Sequence, residues 1–168
     1  MFFKAMPKIS YKANGETINT KDIFQRVGLD RKLTSRAALE AYYVKNGETP
    51  DIIANNLYGS SNYHWILLTV NDIVNVHEEW PKRQEEIFAY TESKHGVGNS
   101  GKDHHYRLAD DITIIVDYDA VGIANGSIEA VSNIDYEVDE NEKKRQILIL
   151  RNDFLAGFIN KYKSLMDQ

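Results

Sequence analysis

The sequence predicts an α+β protein, and three local patterns support that fold class. The first is a short helix with defined ends, because Thr49 and Pro50 suit a helix start and Gly59 suits a helix stop. The second is the apolar run Gln146–Leu150, which is typical of a strand. The third is a C-terminal amphipathic helix, Asp153–Met166, whose large apolar residues recur at helical spacing.

The composition is that of a folded chain without covalent cross-links. Its 168 residues suit one domain, or one domain with an appendage. The 20 Lys and Arg against 25 Asp and Glu give a net charge of −5, which disfavours nucleic acid and anionic membranes as partners. The lack of cysteine excludes disulfides and thiol nucleophiles. No apolar segment has the length of a membrane span or of a signal peptide, so we expect a soluble chain that is made in a cytoplasm.

The N-terminal residues 1–40 are expected to form an extended segment that contains a hairpin. Asn14-Gly15 favours a tight turn between the strands Ile9–Ala13 and Glu16–Asn19. A short helix over Asp22–Val27 is expected to follow, since its apolar residues fall on one helical face.

The middle of the chain predicts the order strand, helix, helix, strand. A strand ends at a glycine turn, and the Thr49 hydroxyl is expected to cap the first helix. The second helix, Tyr63–Val70, is expected to begin at a cap on Ser61 or Asn62. The run Ile73–Val76 then predicts the returning strand.

The C-terminal half predicts a helix, several short strands and a charged connector before its last strand and helix. The helix is Lys82–Lys94, and Gly96 ends it. The predicted strands are His105–Leu108, Ile112–Asp117 and Gly122–Val131, with a hairpin signal at Asn125-Gly126. The charged stretch Glu137–Arg145 is interpreted as a solvated or salt-bridged connector.

One stretch of the sequence resembles a LysM motif. Its matching strings are Tyr43-Val44-Lys45-Asn46-Gly47-Glu48-Thr49, Ile53-Ala54, Tyr58-Gly59 and Asn71. Glu48 replaces the usual Asp, and Pro50 stands where LysM domains more often have a large apolar residue. The longer second segment with Trp65 is similar to a LysM variant of phage tail assembly proteins. The resemblance implies a βααβ unit with a glycan-binding groove between Gly47–Thr49 and Ser60–Asn62.

A wider set of strings resembles the small baseplate wedge subunit of contractile-tailed, T-even-like bacteriophages. The strings are Met6–Tyr11, Lys21–Val27, Leu57–Gly59, Tyr63–Leu68, Asn71–Ile73, Trp80-Pro81, Asn133–Glu137 and Asn141–Ile147. This resemblance implies a non-enzymatic structural subunit that joins other wedge subunits and helps the wedges to close into a sixfold ring around the tail hub. It also implies a place in the virion tail baseplate, assembled in the host bacterial cytoplasm.

Together these patterns predict three segments: an extended and hairpin segment over 1–40, a LysM-like unit over 41–80, and helix, short strands and C-terminal helix over 81–168. The competing function is a LysM-type module that binds peptidoglycan or chitin-like glycans. Free-standing glycan binders often have repeated units, a Ser/Thr-rich linker and an export signal, and this sequence shows none of them. We therefore expect baseplate proteins as partners and consider glycan the weaker alternative.

Two sets of residues are candidates for binding. The candidate interface or LysM-like groove residues are Gly47, Glu48, Thr49, Tyr58, Gly59, Trp65, Asn71 and Trp80. The candidate docking helix carries Phe154, Leu155, Phe158, Ile159 and Tyr162, an apolar stripe that would lie in a partner's groove. The alternative for that stripe is that it closes the core of this chain.

No motif predicts catalysis, a metal or a cofactor. His104 and His105 are adjacent on a predicted strand, and neighbouring strand residues point to opposite faces, so they are not expected to act together. The aspartates between Asp110 and Asp119 are typical of turns, and Ser60-Ser61 lacks the Gly-x-Ser-x-Gly pattern of a nucleophilic serine.

Overall fold

The computed structural model describes residues 8–22 and 36–166, and its mixture of helices and strands confirms the α+β fold class. The strands are β1 (Lys8–Ala13), β2 (Glu16–Lys21), β3 (Leu39–Tyr43), β4 (Asp103–Leu108), β5 (Ile115–Val116), β6 (Ile128–Ser132) and β7 (Gln146–Leu150). The helices are α1 (Pro50–Tyr58), α2 (His64–Val70), α3 (Val76–Glu79), α4 (Gln84–His95), α5 (Ala120–Ala124), α6 (Asn133–Lys143) and α7 (Leu155–Met166). None of these helices is long and apolar enough to cross a bilayer.

The chain divides into two compact units. The first unit combines the residues up to Trp80 with those from Gln146 onward, and the second unit is Pro81–Arg145. Strand β7 and helix α7 therefore belong with the N-terminal half of the chain.

The first unit is built on two antiparallel strands from distant parts of the sequence. Strand β3 pairs with β7, with Leu39 opposite Leu150 and Tyr43 opposite Gln146. The side chains of Ile147 and Ile149 are buried, and the residue between them is exposed, as expected for a strand that covers a core with one face. The fully buried core side chains beneath the strands come from β3's end, α1, α2 and β7: Val44, Ile53, Ala54, Ile66, Leu67 and Leu150.

The returning strand predicted at Ile73–Val76 is wrong. Asp72 has a left-handed backbone, with φ of 57°, and turns the chain after α2. The Asn75 side chain then accepts a hydrogen bond from the backbone N–H of His77 and starts the short helix α3. The place beside β3 is taken by β7, so the order strand, helix, helix, strand is completed by a segment from beyond the second unit.

The predicted N-terminal hairpin is confirmed. Strands β1 and β2 pair antiparallel, with Ala13 opposite Glu16. Asn14 and Gly15 both have positive φ, 53° and 85°, which is the backbone that a two-residue hairpin turn requires. The helix predicted over Asp22–Val27 lies outside the described residues after its first position.

The ends of α1 are where the sequence places them, but one predicted contact is wrong. Thr49 occupies the N-cap position, yet its hydroxyl donates to the Asp51 carboxylate at 2.6 Å instead of accepting a helix N–H. Gly59 ends the helix with φ of 73°, and its N–H donates to the carbonyl of Asn55. The next turn is capped by Ser60, whose hydroxyl accepts the Asn62 N–H, and not by Ser61 or Asn62.

The second unit contains a three-stranded antiparallel sheet in the order β5, β4, β6, together with α4, α5 and α6. Helix α4 confirms the predicted helix and ends before Gly96, which has φ of 95°. Helix α4 contacts α6, which also contacts β4 and β6. Helix α6 therefore packs against both α4 and the sheet.

Two strand predictions in this unit are wrong in extent. The strand expected over Ile112–Asp117 shrinks to β5, because the Asp111 carboxylate accepts the Thr113 N–H and holds a turn before it. The strand expected over Gly122–Val131 is divided into α5 and β6. The Asp119 carboxylate caps α5, so the turn at Asn125-Gly126 joins a helix to a strand and is not a hairpin.

The charged connector predicted over Glu137–Arg145 is also wrong, because most of it is helix α6. The Ser132 hydroxyl caps this helix by accepting the Asp135 N–H. Three of its charged or polar side chains are buried, which a solvated connector would not allow. Helix α6 was missed because its inward face is polar, so it lacks the apolar period that reveals most helices.

Trp65 on α2 lies against the C-terminal helix within the first unit. Its ring centroid is 4.7 Å from that of Tyr162 and 6.0 Å from that of Phe158, and all three side chains are buried. Aromatic side chains of this size contribute large buried areas to a core. Trp65 therefore joins α2 to α7.

Replacing Trp65 with Ala should lower the free energy of unfolding by about 3–5 kcal/mol, because a large cavity opens between α2 and α7. Thermal and urea denaturation of the purified protein would measure the loss. Ile52→Ala, at an exposed position on α1, is the control and should change stability far less. A Trp65→Ala protein that unfolds like the wild type would contradict this core role.

Candidate functional site

The turn between β3 and α1 is held together by Glu48. The Glu48 carboxylate accepts the Tyr42 hydroxyl at 3.0 Å and the Lys45 N–H at 2.9 Å. Its backbone carbonyl accepts the indole N–H of Trp80 at 2.9 Å. Partial burial, with the bond to Glu48, raises the pKa of the Tyr42 hydroxyl. The carboxylate and the backbone carbonyl of Glu48, a candidate groove residue, are thus both hydrogen-bonded inside the first unit.

Tyr58 extends from α1 to strand β7, which is 92 residues away in sequence. Its buried hydroxyl donates to the carbonyl of Leu150 at 2.9 Å and accepts the Leu150 N–H at 3.1 Å. Burial raises the pKa of this hydroxyl to about 12, so it stays protonated at physiological pH. The hydroxyl therefore satisfies both backbone groups of one strand residue.

Asn71, directly after α2, binds the same strand two residues earlier. Its side-chain amide donates to the carbonyl of Leu148 at 2.8 Å, and its side-chain oxygen accepts the Leu148 N–H at 2.8 Å. This pair of bonds is the exchange that a neighbouring strand would make. Tyr58 and Asn71 together satisfy the edge of β7 that faces away from β3.

The structure brings most candidate groove residues together around the core of the first unit. Tyr58, Trp65 and Trp80 are buried, and Glu48, Tyr58, Asn71 and Trp80 bond to groups of this chain. Gly47 and Gly59 have positive φ, 80° and 73°, and shape the turns on either side of α1. The arrangement holds strands and helices in place and leaves little polar side-chain chemistry on this set for a ligand.

The candidate docking helix is only partly available. Phe158 and Tyr162 are buried beside Trp65, and Leu155 and Ile159 are half-buried against the same core. Phe154, which precedes α7 in a short 3-10 turn, is exposed. The stripe therefore contributes to this chain's own core through its central residues.

Helix α6 and the residues directly after it carry a buried polar face that was not predicted from the sequence. Asn133, Glu137, Asn141 and Arg145 follow one another at intervals of four and are all buried. The Asn141 side chain accepts the Lys82 N–H and donates to the Lys82 carbonyl, while Asn133 donates to the carbonyl of Asn99. The spacing of four residues was the one sequence signal for this helical face, but spacing alone does not show that a polar face is buried.

Glu137 is the charged centre of the second unit. Its carboxylate accepts Lys94 Nζ and His95 Nε2, each at 2.8 Å. Burial favours the neutral acid, but the bonds from Lys94 and His95 outweigh burial and lower the pKa of Glu137. A buried carboxylate that is bonded to both Lys94 and His95 stabilises the contact of α4 with α6.

The expectation that His104 and His105 point apart is wrong. A β-bulge between Asp103 and His105 interrupts the alternation, and the two Nδ1 atoms lie 2.9 Å apart. The His104 ring stacks on Tyr136 at 3.9 Å. Burial, with the neighbouring His105 and His95, lowers the pKa of His104. Across the described ranges, no three His, Asp or Glu side chains are placed to hold a metal ion.

The comparisons with known proteins agree on a single family. The profile of the family described as "Base plate wedge protein 53" matches residues 1–114. The chain is also 27% identical, over 190 aligned residues, to the baseplate wedge protein gp53 of Enterobacteria phage T4. That alignment covers 100% of this chain and 97% of the T4 protein.

Replacing Tyr58 with Phe should cost about 1–3 kcal/mol of stability, because the buried N–H and carbonyl of Leu150 lose their partner. Thr49→Ala is the matched comparison on the same helix. It should cost less than about 0.5 kcal/mol, since no cap hydrogen bond is lost. Chemical denaturation would measure both values, and equal losses would contradict the assigned roles.

The lowered pKa of Glu137 leads us to expect that the protein loses stability in acid. Its pKa is lower in the folded protein than in the unfolded chain, so its contribution is complete above about pH 4.3 and is lost as the pH falls through the folded pKa. In Glu137→Gln this part of the pH dependence should disappear. Melting temperatures measured from pH 7 to pH 3 would test this, with the exposed Glu86→Gln as control. Parallel curves for wild type and Glu137→Gln would contradict it.

Proposed function

Because this chain belongs to the base plate wedge protein 53 family, we propose that it links neighbouring wedge proteins while the baseplate assembles. Its structural role in the phage tail baseplate wedge, beside other baseplate proteins, follows from that membership. We also propose that the chain helps the wedges to close into a sixfold ring and that it assembles with them in the host cytoplasm. The net charge of −5 supports protein surfaces, and not nucleic acid or anionic membrane, as its partners.

The observation that carries this proposal is that the polar candidate residues form hydrogen bonds within this chain. Glu48, Tyr58 and Asn71 bond to groups of this chain, and Tyr58 and Asn71 each satisfy both backbone groups of a β7 residue. An enzyme or a glycan receptor needs such groups aimed at a cleft. Their internal use supports a non-enzymatic subunit that acts through its outer surface.

Glycan binding remains the second candidate because of the LysM-like strings over 41–80. The internal bonding of Glu48 and Asn71 supports the proposal that any such binding is weak. The division into segments 1–40, 41–80 and 81–168 likewise stays a prediction. Any docking by α7 would use only its exposed side, together with the nearby exposed side chain of Phe154. These assignments give the candidate groove residues a mainly structural role.

Phage that lack this chain should accumulate wedges that do not join, because the linking subunit is missing. Negative-stain microscopy and sedimentation of infected-cell extracts would show separate wedges, and supplying the chain from a plasmid should restore complete baseplates. In parallel, titration calorimetry with a chitin oligomer should give a Kd weaker than about 1 mM. Closed rings without the chain would contradict linking, and micromolar glycan affinity would favour the LysM-type function.

A further inference from the structure

One exposed stretch of the second unit combines apolar side chains with negative charge. We call residues 110–121 the acidic edge. Its exposed apolar residues are Ile112, Ile114, Ile115, Tyr118 and Val121, of which Ile115 is 69% and Val121 is 70% exposed. Large exposed apolar patches usually mark interaction surfaces in folded proteins, and these five side chains lie within twelve residues of sequence.

The backbone of the acidic edge includes a strand with an open side. Strand β5 pairs with β4, with Val116 opposite Tyr106 and Ile115 opposite Arg107. Among the described strands, β4 is its only neighbour, because the sheet order is β5, β4, β6. An edge strand offers backbone N–H and carbonyl groups to an incoming strand. Apolar side chains and backbone donors therefore occur in the same short segment.

The charge of the acidic edge has one sign. Between Leu108 and Ser127 the sequence has aspartates at 110, 111, 117 and 119 and no Lys or Arg. Asp111 and Asp119 also hold local backbone N–H groups, of Thr113 and of Val121 with Gly122. Asp110 and Asp117 are both exposed and lie within two residues of the exposed Ile112 and Tyr118, so they are the suitable positions to change. Charge of this sign repels phosphate and selects a basic partner.

We propose that the acidic edge docks an extended, basic segment of another baseplate protein. The segment adds to the open side of β5, its apolar side chains cover Ile112, Ile115 and Val121, and its Lys or Arg residues face Asp110 and Asp117. Main-chain bonds supply affinity in this mode, and the side chains supply specificity. The proposal rests on the proposed function, since it names the surface by which the chain enters the wedge.

Two pairs of variants test the surface with matched controls. Asp117→Lys reverses one charge of the acidic edge, and Glu86→Lys reverses an exposed charge on α4. Ile115→Ser with Val121→Ser removes two exposed apolar side chains, and Phe88→Ser with Val97→Ser does the same elsewhere in the second unit. Circular dichroism and melting curves should match the wild type for all four proteins, because the changed residues are exposed.

Each protein is co-expressed with the other baseplate wedge proteins of its phage, and its share in sedimenting wedges is measured. Both acidic-edge variants should be incorporated about tenfold less than the wild type, and both controls should be incorporated normally. Raising the salt from about 50 mM to about 500 mM should release wild-type protein from the wedges, because salt screens the charge attraction. The fraction of bound Asp117→Lys that the same change releases should be smaller, since this variant has already lost part of that attraction. Normal incorporation of the acidic-edge variants would overturn the docking surface and leave the proposed function intact.

Two further outcomes would also overturn the proposal. Failure of the wild-type chain to enter wedges would overturn both the docking surface and the proposed function. Concentration-dependent dimers of the isolated protein that the Ile115→Ser and Val121→Ser changes abolish would mean that a second copy of this chain, and not another baseplate protein, occupies the edge. Analytical ultracentrifugation at several concentrations would detect that case.

Discussion

The first unit depends on how strand β7 is bonded along both of its edges. On one side β7 pairs with β3, and on the other side Tyr58 and Asn71 bond to the backbone of Leu150 and Leu148. Unsatisfied N–H and carbonyl groups on a strand edge are costly where the edge is buried, as it is at Leu150, and here two side chains replace the missing strand. The same two side chains fix α1 and α2 against β7, so the sheet and the helices share one set of bonds.

This bonding has a consequence for folding, since the partners are far apart in sequence. Tyr58 and Leu150 are separated by 92 residues, and the whole second unit lies between them in the chain. Contacts of such long separation carry a large loop-closure cost and slow the folding of a domain. The first unit therefore needs nearly the full chain before its core can close.

The second unit is held together by a different kind of interior. The inward face of α6 is polar, and Glu137 and Asn141 are satisfied by Lys94, His95 and the backbone of Lys82. In the described ranges, every buried side-chain nitrogen and oxygen has a hydrogen-bond partner. Fully satisfied polar contacts of this kind fix one arrangement of two helices, because any shift leaves a buried group unpaired.

Local features could be determined from the sequence alone, and pairings between distant segments were decided by the tertiary structure. Asn14-Gly15, Pro50 and Gly59 act through the φ values of their own backbone, so their turns and helix ends were predictable from neighbouring residues. The partner of β3 was not, because Ile73–Val76 and Gln146–Leu150 are both apolar and only the latter meets Tyr58 and Asn71. Helix α6 and the contact of His104 with His105 also depended on tertiary structure, since burial of polar residues and a β-bulge arise from what surrounds a segment.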